Sequence, residues 1–125
     1  MSRTARALVY GAAGLAGELA FTGVRGRPAT SPWMFPVYVL VAPFFEPLHD
    51  RLRSSSRGRR ACAYALWFST VEYASGRLLR RVRGAAPWDY SHARVNVDGL
   101  VRADYLPVWA AAGFAFERLH DALVG

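Results

Sequence analysis

Phe45-Glu46-Pro47-Leu48-His49-Asp50-Arg51-Leu52 returns as Phe116-Glu117-Arg118-Leu119-His120-Asp121-Ala122-Leu123, identical at six of eight positions. Each copy closes an apolar stretch and carries a carboxylate with a histidine three residues on. Residues three or four apart share one face of a helix, so the spacing predicts a helix that presents Glu and His together. A looser echo relates Glu18-Leu-Ala-Phe-Thr-Gly23 to Glu72-Tyr-Ala-Ser-Gly76. Together the echoes predict a duplicated helix pair, and two crossings per pair make the repeat parallel.

The apolar segments around these phrases are Ala7–Val24, Pro32–Leu48, Ala61–Gly76 and Tyr105–Leu119. The expected fold is all-α: a four-helix membrane bundle in one domain, 1–125. Its helices lie at about 7–24, 32–50, 61–80 and 105–123, with a long loop between the third and fourth. The longest uninterrupted runs, Ala7–Gly17 and Pro32–Phe45, have 11 and 14 residues. That is short of the roughly 18 that mark a spanning helix, so a soluble ferritin-like bundle is the alternative. Frequent Gly, Ala, Pro, Trp and Tyr, without a broad charged face, favour the membrane. Arg3 and Arg6 before an apolar run resemble a signal peptide, but no small-x-small cleavage site follows, and a retained first helix is expected.

The 125 residues carry a formal charge of +7, and all sixteen basic residues are arginine. The arginines cluster between the apolar segments, as helix-flanking charges do. No run alternates aromatic with basic residues, which argues against nucleic acid as partner. Arginines divide seven against eight between the two sides of the bundle, so orientation is not legible. The lone Cys62 excludes an internal disulfide and a cysteine zinc cage, and reads as a small packing residue. No phosphate loop is present, so any ATPase would be a separate chain.

Each of the four glutamates, Glu18, Glu46, Glu72 and Glu117, interrupts a different apolar segment. A carboxylate removed from water must be paired, protonated or metal-bound. Small residues at helical spacing beside them, such as Gly11 and Gly14 or Gly113, turn the carboxylates into the bundle. Di-metal carboxylate bundles use one Glu from each of two helices and a Glu-x-x-His from each of the other two. Glu18, Glu46, His49, Glu72, Glu117 and His120 are therefore expected to hold two divalent transition-metal ions, Fe, Mn or Zn. The competing reading is interhelical hydrogen bonding or passage of protons or cations. Segment lengths place Glu72 and Glu117 level, but offset Glu18 from Glu46 by about 10 Å unless the first helix extends past Gly23, or kinks at Pro36, Pro43 and Pro47 in the second helix close the gap.

The connection from Arg77 to Asp104 holds Pro87-Trp88-Asp89-Tyr90-Ser91 and then Asn96-Val97-Asp98-Gly99, where Asp-Gly marks a tight turn. Pro87, Trp88, Asp89, Tyr90, Ser91, Asn96 and Gly99 resemble the loop signature of the transmembrane protein 229 family and the CmpB-like ABC-transporter permease family. Glu18-Leu-Ala-Phe-Thr22, Glu72, Asp104-Tyr105-Leu106-Pro107-Val108-Trp109 and Glu117 extend the resemblance over most of the chain. The resemblance implies a multi-pass membrane protein, in the cell inner membrane if bacterial. The lipid bilayer, and a separate ATPase or a second copy, are its expected partners. A transport- or permease-like subunit is the leading expectation. A membrane di-metal oxidoreductase and a non-catalytic assembly subunit are the alternatives.

Overall fold

The protein is described by a computed structural model, in which residues 1–27 and 30–124 are described. These are mostly helical. Helix α1 runs Arg3–Arg25, capped by Ser2, whose side chain accepts the Ala5 amide at 3.1 Å. Helix α2 (Met34–Val39) leads through a π-helical turn, Val41–Phe45, into α3 (Glu46–Leu52). Helix α4 (Arg57–Arg83) starts at the Ser56 cap and stops at Gly84, which takes the left-handed conformation at φ 86°. Strands β1 (Asn96–Val97) and β2 (Val101–Arg102) form an antiparallel hairpin, and a 3-10 turn at Ala103–Tyr105 starts α5 (Leu106–Val124).

The second expected helix, 32–50, consists of two α-helical stretches joined by the π-helical turn. Pro43 lacks the N–H that an α-ladder would direct at Val39, so the chain takes a wider turn there. Beyond it the Glu46 amide reaches back to the Val41 carbonyl. Pro36 falls in the first turn of α2, where no intrahelical N–H is required, and Pro47 follows directly on the π-helical turn as the second residue of α3. Helices α1 and α4 run longer than the segments 7–24 and 61–80.

The chain divides into two compact units. One holds Met1–Arg51 with the last turn of α5 from His120 onward; the other holds Leu52–Leu119. In the first unit α1 packs on α2 through Gly11 and Gly14, where an added Cβ would run into the rings of Phe35 and Tyr38. In the second unit Gly113 of α5 lies against the Tyr64 side chain of α4 in the same way. Phe68 stacks on Trp109 at 5.0 Å between ring centroids, with Phe116 beside it.

The expected Asp-Gly turn is present. Asp98 (φ 62°) and Gly99 (φ 69°) both have positive φ, the sign pattern of the hairpin turn that suits Asp-Gly. Cys62 corrects the sequence reading: it is exposed on α4 rather than packed inside. Its place in an apolar run indicated hydrophobicity but not direction.

Candidate functional site: two arginine–tyrosine–glutamate networks

In the first unit Arg6 meets Glu46 with two parallel bonds, Nε to Oε2 at 2.8 Å and Nη2 to Oε1 at 3.0 Å. Tyr10, one turn on from Arg6 and fully buried, donates its hydroxyl to the same carboxylate. In the second unit Arg60 forks onto Glu117 at 3.2 Å for both bonds, and buried Tyr64 donates to Glu117. Arginine's planar fork fits a carboxylate at two points, which holds the charge and fixes the geometry. Each glutamate thus accepts two bonds from an arginine and one from a tyrosine within its own unit.

The other two glutamates are held at different levels. Glu72 is buried and accepts from the Tyr90 hydroxyl at 3.1 Å and the Trp109 indole at 3.2 Å. Glu18 accepts from the Thr30 hydroxyl at 2.9 Å and from Tyr38. Tyr38 precedes Glu46 by eight residues, and Trp109 precedes Glu117 by eight. Likewise Glu18 follows Tyr10, and Glu72 follows Tyr64, by eight. Eight helical residues rise about 12 Å. Within the first unit the bonds therefore hold Glu46 and Glu18 two turns apart along α1. Within the second they hold Glu117 and Glu72 two turns apart along α4. The four carboxylates are not brought to one two-metal centre inside either unit. Glu72 and Glu117, placed level by segment length, are not level: Glu72 bonds Trp109, eight residues before Glu117 on α5, and Glu117 bonds Tyr64, eight before Glu72 on α4.

Of the expected ligands, the first unit does gather Glu46, His49 and His120. All three are buried. His120 Nδ1 lies 2.9 Å from Glu46 Oε2 and 3.1 Å from the Tyr10 hydroxyl. The two imidazoles meet edge to face, centroids 5.2 Å apart. Each faces the aspartate of the other phrase: His49 Nε2 lies 3.5 Å from Asp121, and His120 Nε2 lies 3.5 Å from Asp50. The aspartates are half exposed, at 50% and 58% of their side chains, so the buried histidines stand one residue from the surface.

The loop motif has a structural account in the second unit. Asp89 accepts the Ser91 amide at 2.9 Å, and that bond holds its carboxyl below the usual range. The Trp88 indole donates to the Leu100 carbonyl, and Asn96 accepts the Gly99 amide. Leu100 is fully buried, and it and Trp88 close over Gly76 of α4, where a Cβ would sit 2.8 Å and 3.0 Å from them. Arg80 reaches the Asp98 carbonyl at 2.7 Å. So docked, the loop delivers the Tyr90 hydroxyl to Glu72.

Residues 6–125 match the profile of the family described as "Putative ABC-transporter type IV". The chain belongs to that family. No solved structure matches the chain. Arg6, the first residue of the family match, is also the first residue of the repeated network.

Arg6, Tyr10, Arg60, Tyr64, Asp50 and Asp121 take part in these networks and lie outside the expected ligand set. A signal for four of them was present: Arg6-x3-Tyr10-x7-Glu18 recurs with identical spacing as Arg60-x3-Tyr64-x7-Glu72.

Proposed function

We propose that this family member is a multi-pass membrane subunit of transport type, built from two parallel helix-pair repeats that form a four-helix bundle. In this reading the repeats are α1 with α2–α3, and α4 with α5. The shared spacings and matching bond sets support the duplication, and the family description supports the transport setting. The similarity to the transmembrane protein 229 family belongs to the same reading.

The observation that carries it is the inverted polarity of the helices. On α1, Leu8, Ala12, Ala16 and Leu19 are exposed, while Tyr10, Gly11 and Gly14 are buried. On α4, Cys62, Leu66, Thr70 and Ala74 form an exposed stripe without charge, while Tyr64, Phe68, Glu72 and Gly76 face inward. Ionisable residues within membrane helices face the protein interior and pair there, with apolar residues toward lipid. A water-soluble bundle has the opposite arrangement. Among the described residues only α1 is long and apolar enough to cross a membrane by composition. The charges that weigh against α4 and α5 include Arg60 and Glu117, which neutralise each other.

Energy from ATP would come from a separate chain. The sequence contains no lysine, so it lacks the phosphate-loop lysine that reaches the β- and γ-phosphates. Separation of membranes by carbonate washing, then detergent purification, tests the proposal. The full chain should stay in the washed membranes, need detergent for extraction and bring an ATPase with it. Recovery in the carbonate supernatant would refute the membrane reading. A detergent-purified chain without any ATPase would refute the transport-subunit reading.

A further inference from the structure

Arg6, Glu46, His49, Asp50, His120 and Asp121 collect in the first unit. One ring nitrogen each from His49 and His120 and a carboxylate oxygen of Asp50 all lie within 4.8 Å of one another. Asp121 stands 3.5 Å from His49. We propose that His49, Asp50 and His120 form a mononuclear site for a divalent first-row transition ion such as zinc, and that the half-exposed Asp121, which stands beside His49 but outside that group of three, swings in as fourth donor when the ion binds.

Three observations carry this assignment. The first is spacing. Nitrogen and carboxylate oxygen bind zinc at about 2.0–2.2 Å in a tetrahedron, which sets neighbouring donors about 3.3–3.5 Å apart. The His49–Asp121 and His120–Asp50 separations are both 3.5 Å. That is long for an N–H···O bond, whose usual range ends near 3.2 Å, but it matches the edge of such a tetrahedron.

The second is the tautomer of His120. Glu46 is held as a carboxylate by the Arg6 fork, so it can only accept, and His120 Nδ1 must carry the hydrogen between them. In the neutral ring that a metal ion requires, the Nε2 lone pair is then directed at Asp50. A metal-binding histidine that donates its other N–H to a carboxylate is the usual arrangement around such ions, because the carboxylate fixes the ring and raises its basicity. Arg6, Tyr10 and Glu46 here play that supporting part.

The third is access and charge. Both imidazoles are buried, whereas Asp50 and Asp121 are half exposed, so an ion can enter past the aspartates. Two neutral imidazoles and two carboxylates carry a charge of about −2, which a divalent ion cancels. Imidazole with carboxylate suits zinc, iron and manganese; two imidazoles favour zinc over magnesium or calcium, which take oxygen donors.

The site stands apart from the transport reading, since it needs only the first unit's geometry. The test uses untagged full-length protein in detergent, stripped of metal and titrated with zinc, then with cobalt(II) as a spectroscopic probe. The expected result is one ion per chain and the intense visible absorption of four-coordinate cobalt. Asp50→Asn changes a half-exposed side chain, so folding should survive. It should weaken zinc binding by more than the roughly 10- to 100-fold that loss of an outer partner costs. His49→Gln should abolish the cobalt band. Glu18→Gln, in which the altered residue bonds Thr30 and Tyr38 instead, should leave both readouts unchanged. Absence of saturable zinc binding by the wild type would overturn the site. So would Asp50→Asn binding zinc as tightly as wild type.

Discussion

Tyr10 donates its buried hydroxyl to Glu46 as Tyr64 donates to Glu117, and in each case the arginine four residues before the tyrosine forks onto the same carboxylate. A carboxylate inside an apolar helix pair is tolerable on those terms. It is compensated by a full positive charge, and a third acceptor site on it takes the tyrosine hydroxyl.

Removing one donor should therefore weaken both networks alike. Tyr10→Phe and Tyr64→Phe each lose one hydrogen bond to a charged group, an effect of about 1.5–3 kcal/mol. Unfolding in detergent, followed by denaturant titration, should show two destabilisations of similar size. A large loss at one tyrosine with none at the other would deny the equivalence of the two networks.

Close helix approach at glycine should separate two kinds of variant. Gly113→Ala places a methyl group in the Tyr64 side chain and should destabilise by about 1–3 kcal/mol, as overpacking does. Gly17 has nothing within 4 Å of an added Cβ. Gly17→Ala should raise stability by about 0.5–1 kcal/mol through helix propensity alone. The same unfolding measurement checks both signs.

The loop should respond to acid through Asp89. Its carboxyl is held low by the Ser91 amide and by the Ser91 side chain. A group whose folded pKa is depressed stabilises above its unfolded pKa, near 3.9 for aspartate, and the contribution disappears as pH falls through the lower folded value. Exchange protection of the Ser91 amide should stay level from pH 8 to about pH 5 and fall below about pH 4. Asp89→Asn should flatten that acid limb, while a fall centred near neutral pH would implicate another group.

Much of the helical content was legible because apolar runs and the repeated 45–52 and 116–123 phrases are local signals. The Asp98-Gly99 turn was legible for the same reason, since two positive φ values suit those residues. The break in the second helix was harder to place. Three prolines pointed to kinks, and only the ladder itself reveals that Pro43 produces a π turn while Pro36 and Pro47 are accommodated. The site was half legible. Buried glutamates implied compensation, but Arg6 and Arg60 looked like flanking charges at helix ends. A long side chain at a helix start can turn either to water or back onto a neighbouring helix, and spacing within one segment does not decide which. Comparing the segments would have, since Arg-x3-Tyr-x7-Glu occurs in both. The expectation of a single four-glutamate centre failed to anticipate the donors Tyr38, Tyr90 and Trp109, which lie far from Glu18 and Glu72 in sequence.

The central claim is that the outward faces of these helices contact lipid while their charges are paired inside. Leu66, 65% exposed on α4, sits midway along the uncharged stripe and tests it most directly. A spin label on Leu66→Cys, in a Cys62→Ser background reconstituted into liposomes, should be relaxed strongly by oxygen and weakly by a water-soluble nickel complex. Relaxation by nickel as strong as at Arg57→Cys in the same liposomes would place this face in water and contradict the account.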